Sequence, residues 1–263
     1  MLESKNKKTL GPKMLKKERQ NLILQAINIK KHVTTAELVE QFHFSEDTIR
    51  RDLRELDQKS LIKRVYNGAS RIGPAVTGFE QRLSVKTDEK KLLAQAALSF
   101  LVEDTVILID GSTTNYYLVQ AIPENFAATF ITNSPYLAIQ LSSKKNVNVI
   151  TLGGIFAKRA AVSLGIEAID AISTFRVNTY VMGIHNLDAE NGATFHSQQE
   201  AQVKQKMVAR SDNVIALSTS DKLGIYSNYV CCAASEINQL ITDAHDEQLL
   251  QDLKSQKIEI TQV

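Results

Sequence analysis

The chain has 263 residues, a formal net charge of +2 from 31 Lys plus Arg against 29 Asp plus Glu, and 43% hydrophobic residues. This length exceeds what one small core holds and points to two domains; with no apolar run of about 18 residues and no apolar segment behind the basic N-terminus, a membrane span and an export signal are excluded and a cytoplasmic protein is expected. Cys231 and Cys232 are adjacent in an apolar stretch and the histidines are scattered, so no disulfide, metal site or resident cofactor is expected.

Near-neutrality conceals an asymmetry. Residues 1–72 hold 16 Lys plus Arg against 9 Asp plus Glu, a net +7, whereas residues 73–263 hold 15 against 20, a net −5. The charge that neutralises phosphates therefore belongs to the N-terminal part. In chain order, residues 1–15 form a basic tail, either a phosphate-seeking arm or a solubilising extension. Leu22, Ile23, Ala26 and Ile27 lie at helical spacing and predict a helix from Lys16 to Lys31. Thr34-x-x-Glu37 is a capping box that opens a short helix running through Phe42.

Ser45 is a natural N-cap, and Glu46 and Asp47 follow in the first turn, where carboxylates suit the positive end of the helix dipole. Taking Ile49, Leu53 and Leu56 as the buried stripe leaves Asp47, Arg51, Arg54 and Gln58 on the opposite face, with Arg50 on its flank. Next, Ile62 to Tyr66 and Ala69 to Ile72 flank Asn67-Gly68, the dipeptide that supplies the two positive φ angles of a type I′ hairpin turn. Three short helices followed by a basic hairpin predict a winged helix-turn-helix over residues 16–72, able to seat a helix in a DNA groove and brace it on the backbone. The candidate DNA contacts are Thr35, Ser45, Asp47, Thr48, Arg50, Arg51 and Arg54, together with Lys63, Arg64, Asn67 and Arg71 of the wing.

Residues 73–87 are expected to be a linker, with the breaker-rich stretch Gly73-Pro74-Ala75-Val76-Thr77-Gly78 as a hinge. From Asp88 to Leu101 the apolar spacing is helical. Short apolar runs follow at Thr105 to Ile109, Ala128 to Ile131, Asn148 to Leu152, Thr179 to Met182, Asn213 to Leu217 and Gln239 to Ile241. Between them lie helical segments near residues 115–122, 135–142, 163–173 and 198–210. Strand and helix in strict turn predict an α/β domain over residues 88–263, a parallel sheet with helices on its faces.

In such a sheet the ligand sits beyond the carboxyl ends of the strands. Those ends read Asp110-Gly111-Ser112-Thr113-Thr114, Thr132-Asn133-Ser134, Gly153-Gly154 and Gly183, with Ser218 to Lys222 after the fifth run. Small and hydroxyl residues there let amides and hydroxyls approach an anion, and the helix after Thr114 points its positive end the same way. A phosphorylated small molecule is the expected ligand. Among charged residues, Glu200, Lys204 and Lys222 are the candidates for the pocket, although Glu200 and Lys204 also suit an i, i+4 surface pair.

These residues carry a resemblance across almost the whole chain. Arg19-Gln20, Ile23-Leu24, Ser45-x-x-Thr48-Ile49-Arg50-Arg51-Asp52-Leu53 and Asn67-Gly68-Ala69 resemble the signature of the DeoR family of bacterial transcriptional regulators. So do Phe79-Glu80-Gln81-Arg82, Glu89-Lys90, the Asp110 to Thr114 loop, Glu200-Ala201-x-Val203-Lys204 and Asp221-Lys222-x-Gly224. The first strand-end loop departs from the family's common Asp-Ser-Gly-Thr-Thr, and His185-Asn186 and Phe195-His196-Ser197 are less typical. The resemblance implies a sensor domain with the fold of ribose phosphate isomerases, a sugar phosphate effector that alters affinity for operator DNA, and a homodimer or homotetramer that represses carbohydrate genes. The alternative is an isomerase-like enzyme with a nucleic-acid-binding appendage. Such chemistry needs a carboxylate base, but the loop after Gly183 has no carboxylate before Asp188, and Gln205 aligns where the isomerases carry a glutamate. No enzyme activity is expected.

Overall fold

A computed structural model describes residues 14–30, 32–59, 61–71 and 77–263. The chain divides into two units between Ile72 and Gly73. Most of the basic tail expected at 1–15, and residues 73–76 of the expected hinge, lie outside the described residues.

The first unit runs α1 (Lys16–Lys30), β1 (His32–Thr34), α2 (Thr35–Phe42), α3 (Glu46–Gln58), β2 (Ile62–Val65) and β3 (Gly68–Arg71). Thr34 Oγ1 accepts from the Glu37 amide at 3.1 Å while the Glu37 carboxylate accepts from the Thr34 amide at 2.7 Å, so the capping box forms in full. Ser45 caps α3 by accepting from the Thr48 amide. Ile23, Ile27, Leu38, Ile49, Leu53, Leu56 and Ile62 form the core and are almost wholly buried, each contributing about 1.5–3 kcal/mol of transfer free energy. A polar clamp joins α1 to α3. The Arg19 guanidinium pairs with the buried Asp52 carboxylate, and Gln20 Nε2 donates to Asp52 Oδ1 at 3.1 Å and Glu55 Oε2 at 2.9 Å.

The wing differs from expectation in two respects. Its strands pair Val65 with Gly68, so the turn residues are Tyr66 and Asn67, and of these only Asn67 has a positive φ, of 61°. The expected Asn67-Gly68 type I′ turn therefore does not form, because Gly68 serves a different need. A Cβ on Gly68 would lie 2.1 Å from the Val33 carbonyl oxygen, and its absence lets β1 join the hairpin as a third strand in the order β1-β3-β2.

The second unit begins with α4 (Phe79–Leu83) and α5 (Thr87–Ala97), then alternates β4 (Val106–Ile109), α6 (Thr113–Ala121), β5 (Ala128–Thr132), α7 (Pro135–Leu141) and β6 (Val147–Thr151). A hairpin of β7 (Ile155–Ala157) and β8 (Val162–Leu164) leads into α8 (Ile166–Ser173) and β9 (Val177–Gly183). The chain then forms β10 (Asn186–Asp188), β11 (Gly192–Phe195), α9 (Gln198–Ala209), β12 (Ser211–Ser218), β13 (Tyr229–Cys232), β14 (Gln239–Thr242), α10 (Glu247–Ser255) and β15 (Glu259–Gln262). The main sheet has the order β15-β14-β12-β9-β4-β5-β6, with every neighbouring pair parallel.

Period-2 alternation sends Leu108, Tyr180, Met182, Val214 and Ala216 to the face covered by α8, α9 and α10, and Ile107, Ile109, Val181, Ile215 and Leu217 to the face covered by α5, α6 and α7. Strand order reverses at β4 and β9, and their carboxyl ends open the crevice where such sheets take ligands. Two departures from strict alternation matter for the site: the β7–β8 hairpin, and a small antiparallel sheet of β10, β11 and β13. The helix expected over 163–173 accordingly starts only at Ile166. Likewise, residues 79–87 are not linker. Phe79 is buried against Tyr116 and Tyr136, its amide donates to the Arg159 carbonyl at 2.9 Å, and α4 packs on the sensor unit.

Candidate functional site

On the first unit, α3 presents Asp47, Arg51 and Arg54 to solvent on the face opposite its buried stripe and Arg50 on its flank, with Ser45 exposed at the cap and Thr48 half-buried beside it. Arg50 is held back along the helix by Glu46, at 2.6 Å, which leaves Arg51 and Arg54 as the outward guanidiniums. Arg64 and Asn67 are exposed on the wing, and Lys63 and Arg71 are half-buried there. The Arg64 amide donates to Asp57 Oδ1 at 3.0 Å, tying the wing to the end of α3. Thr35 is different. It is buried, and its amide donates to the Asn67 carbonyl at 2.7 Å, so it locks α2 to the wing rather than facing outward.

In the second unit, the strand-end loops are tied mainly to one another. Asp110 is buried, and its Oδ2 accepts from the Tyr180 hydroxyl at 2.6 Å, the Gly183 amide at 2.9 Å and Lys204 Nζ at 2.5 Å. Lys204 also donates to the Gly183 carbonyl. The Asp110–Lys204 pair therefore satisfies itself beneath the crevice. Gly183 is required by proximity: a Cβ there would stand 2.2 Å from the Ser112 Cβ. Ser112 caps α6 through the Asn115 amide, Asn133 accepts from the Gly111 amide and donates to the Ser163 carbonyl, and Thr132 Oγ1 accepts from the Ser134 amide. Gly154 packs beneath the Leu164 carbonyl in a positive-φ conformation, whereas Gly153 has open space around it. Thr114 is buried at the start of α6. The small residues thus let loops approach each other, and Asp110, Gly111, Ser112, Thr114, Thr132, Asn133, Ser134, Gly153, Gly154, Gly183 and Lys204 stand outside the cavity lining.

The cavity itself, about 440 Å³, is lined by Thr113, Glu200 and Lys222 from the sequence candidates and by a set of cations that were not among them. Arg82 comes from α4, Lys86 and Lys90 from α5 and its cap, and Arg159 from the β7–β8 turn; His185, His196, Ser197, Thr219 and Asp221 complete the polar wall. Lys86 pairs with Asp221 at 2.7 Å. Lys90 donates to the Arg82 carbonyl and Lys222 to the Ile184 carbonyl, both keeping their ammonium groups beside the cavity. Arg82 Nε is buried with no hydrogen-bond partner.

Crowded cations are costly, and their ionisation shows it. Burial, with Lys222 and Arg82 nearby, pushes Lys90 down to about 8; burial, with Arg82, Lys204 and Lys86 nearby, pushes Lys222 down to about 8 as well. Burial raises the Glu200 carboxyl, opposed by Lys204 and Arg82. Burial and the adjacent His196, Lys222 and Arg82 push His185 down to about 3, so that its imidazole is neutral at physiological pH. The arrangement suits an anion, with two acids, Glu200 and Asp221, and two imidazoles among the cations. Arg82 and Lys90 fell within the Phe79-Glu80-Gln81-Arg82 and Glu89-Lys90 segments noted above, which was their one signal in the sequence; Arg159 had none.

Residues 85–244 match the DeoR C terminal sensor domain, and residues 19–74 match the DeoR-like helix-turn-helix domain. The chain belongs to the DeoR family. It is 31% identical to the uncharacterized HTH-type transcriptional regulator YulB of Bacillus subtilis, over 95% of this chain and 98% of that one. Identity to the HTH-type transcriptional repressor GlcR of the same organism is 31% over 91% and 93%. Identity to the glycerol-3-phosphate regulon repressor of Escherichia coli is 28% over 88% and 92%. Among solved structures, ribose 5 phosphate isomerase A from Neisseria gonorrhoeae overlaps 51% of the chain and 52% of its own at a TM-score of 0.37 and 14% identity. The full-length sorbitol operon regulator SorC from Klebsiella pneumoniae overlaps 89% and 98% at a TM-score of 0.41 and 10% identity. This DeoR-family chain is a DNA-binding transcriptional regulator with a helix-turn-helix unit and a mixed α/β sensor unit built on a large parallel sheet. Among the described residues, no helix is long and apolar enough to cross a membrane.

Proposed function

We propose that this DeoR-family regulator represses genes of carbohydrate metabolism as a homodimer or homotetramer, and that a phosphorylated sugar held in the sensor cavity changes its affinity for operator DNA. The observation that carries the reading is the convergence of Arg82, Lys90, Arg159 and Lys222 on one cavity, with Arg82 Nε buried and unpartnered. Like charges gathered in one cavity raise the free energy of the empty pocket, and a phosphate dianion relieves it. Relatives named for repression of a glycerol-3-phosphate regulon, and as the repressor GlcR, support the same class of effector and sign of regulation.

On the DNA side, Arg51 and Arg54 reach base edges and phosphates from α3, while Lys63, Arg64 and Arg71 brace the wing on the backbone. Coupling follows if the ligand prefers one arrangement of sensor and DNA-binding units. The sensor is read as non-catalytic and without a resident cofactor. Asp188 Oδ1 is engaged by the Glu190 and Asn191 amides in a turn, and Gln205 lies along an outer groove of α9 away from the cavity. A thermal-shift series with inorganic phosphate and phosphorylated trioses, pentoses and hexoses tests the effector class, since a ligand specific for the native state raises the midpoint. Stabilisation by at least one phosphorylated sugar, abolished in Lys222→Ala, is expected. A uniform lack of response refutes the reading, and appearance of an isomerised product would favour the enzymatic alternative.

A further inference from the structure

The cavity has an imidazole-lined end as well as a cationic one. His185 follows β9, and His196 precedes the Ser197 cap of α9; the two rings meet edge to face with centroids 4.4 Å apart, and the Phe195 ring lies 6.3 Å from His185. His196 is oriented by a polar chain. Asn186 Nδ2 donates to Ser227 Oγ at 2.6 Å, so the Ser227 hydroxyl proton is available to His196 Nδ1, 3.2 Å away. By contrast, His185 Nε2 is buried beside the cavity and has no hydrogen-bond partner. A buried ring nitrogen without a partner costs about 1–3 kcal/mol, and His185 is one of the residues that line the cavity.

Resting on the proposal that the cavity takes a phosphorylated sugar, we infer that His185 is the residue that distinguishes a phosphorylated polyol from bare phosphate, its Nε2 hydrogen-bonding a ligand hydroxyl or carbonyl while the phosphate sits among Arg82, Lys90 and Lys222. His196 is a positioning residue, held by Ser227 and packed against the His185 ring. Burial and the neighbouring His196, Lys222, Arg82 and Lys204 all disfavour protonation of His185. A neutral imidazole donates from one nitrogen and accepts at the other, which lets Nε2 serve a hydroxyl or carbonyl, while it carries no charge to pair with a second anionic group. The ligand class that follows has one phosphate and an uncharged, hydroxyl-bearing body, and it excludes bisphosphates and phosphorylated sugar acids as preferred ligands.

The test is calorimetric titration of the full chain with inorganic phosphate and with a panel of aldose and ketose monophosphates of three to six carbons, fructose 1,6-bisphosphate and 6-phosphogluconate. In the wild type, at least one monophosphate is expected to bind about tenfold or more tightly than inorganic phosphate. His185→Phe keeps a ring against Phe195 and His196 but removes the nitrogen; it should lose most of that excess while the affinity for inorganic phosphate changes by less than about twofold. His185→Gln, whose amide nitrogen reaches the position of Nε2, should restore part of it. Equal losses for both ligands in His185→Phe would make the ring a packing element and overturn the inference, as would unchanged sugar selectivity or a preference for the bisphosphate or the sugar acid. If His185→Phe does not fold, the imidazole nitrogen signals of the wild type decide: the His185 Nε2 resonance should move with the sugar monophosphate and stay with inorganic phosphate, and the reverse overturns the inference. Binding of neither phosphate nor any sugar phosphate would refute the parent reading itself.

Discussion

Replacing Lys222 by Met tests whether the sensor cavity is held in a strained, cation-rich state that only an anion relieves. Burial and neighbouring cations take the Lys222 ammonium from 10.5 down to about 8, a difference of roughly 2.5 pKa steps, and at about 1.36 kcal/mol per step the charge destabilises the empty fold by about 3 kcal/mol. Against this stands the lost hydrogen bond to the Ile184 carbonyl, 3.0 Å long, which leaves an acceptor underused at a cost of about 1–2 kcal/mol. Methionine retains most of the aliphatic stem. The net expectation is a gain of about 1–2 kcal/mol for the ligand-free sensor, read as an upward shift of about 0.5–1 M in its urea midpoint. The pH dependence has a definite sign. The folded value lies below that of an unfolded lysine, so the penalty is complete below about pH 8 and fades as pH rises through 10.5; the gap between variant and wild type should close over that window. The same variant should lose its stabilisation by phosphorylated sugars. A midpoint that falls, with ligand binding intact, would refute the claim that the buried Lys222 ammonium is a cost to the empty cavity that the ligand relieves.

Other consequences follow from the same geometry. Arg51 is exposed, so Arg51→Ala should leave the urea midpoint within about 0.5 kcal/mol of wild type while weakening operator binding by tenfold or more, measured by fluorescence anisotropy, and leaving sugar phosphate binding unchanged. Because Lys90 and Lys222 both sit at about 8 in the empty cavity and a bound anion raises both, calorimetric affinity for a sugar phosphate should be near its plateau at pH 7, drop as pH rises through about 8, and above that fall by up to about tenfold per pH unit for each lysine. A Cβ at position 183 would meet Ser112 at 2.2 Å, so Gly183→Ala should cost about 1–3 kcal/mol in denaturant unfolding of the sensor. Arg19→Ala leaves the buried Asp52 carboxylate without its guanidinium and should destabilise the DNA-binding unit by about 3–5 kcal/mol in the same measurement.

The DNA-binding unit was legible because its signals are local. Thr34 with Glu37, and Ser45 with its acidic first turn, fix two helix starts within a few residues, and the Ile49, Leu53, Leu56 stripe settles which face of α3 is outward. The parallel sheet was legible for a related reason, since strands buried on both faces read as short apolar runs. The wing turn was misplaced because Gly68 answers to a tertiary demand, the passage of Val33, that no dipeptide rule contains. The cavity was half legible. Strand order puts Thr113 and Lys222 at the crevice, but Arg82, Lys90 and Arg159 reach it from α4, α5 and the β7–β8 turn; the apolar spacing of α5 marked a helix, yet nothing local told that these segments fold over the strand ends. The residue types that admit an anion are also those that let two loops pass closely, so sequence alone does not sort the hydroxyl and glycine loops between the two uses.

The most direct measurement is binding of the full-length protein to a labelled fragment of its own upstream DNA, at fixed salt and against excess unrelated duplex, with and without each phosphorylated sugar. The account predicts a preference for the upstream fragment of at least about a thousandfold, together with a shift of about fivefold or more on adding one sugar phosphate that disappears in Lys222→Met. Equal affinity for the two DNAs, or specific binding that no phosphorylated sugar alters, would contradict it.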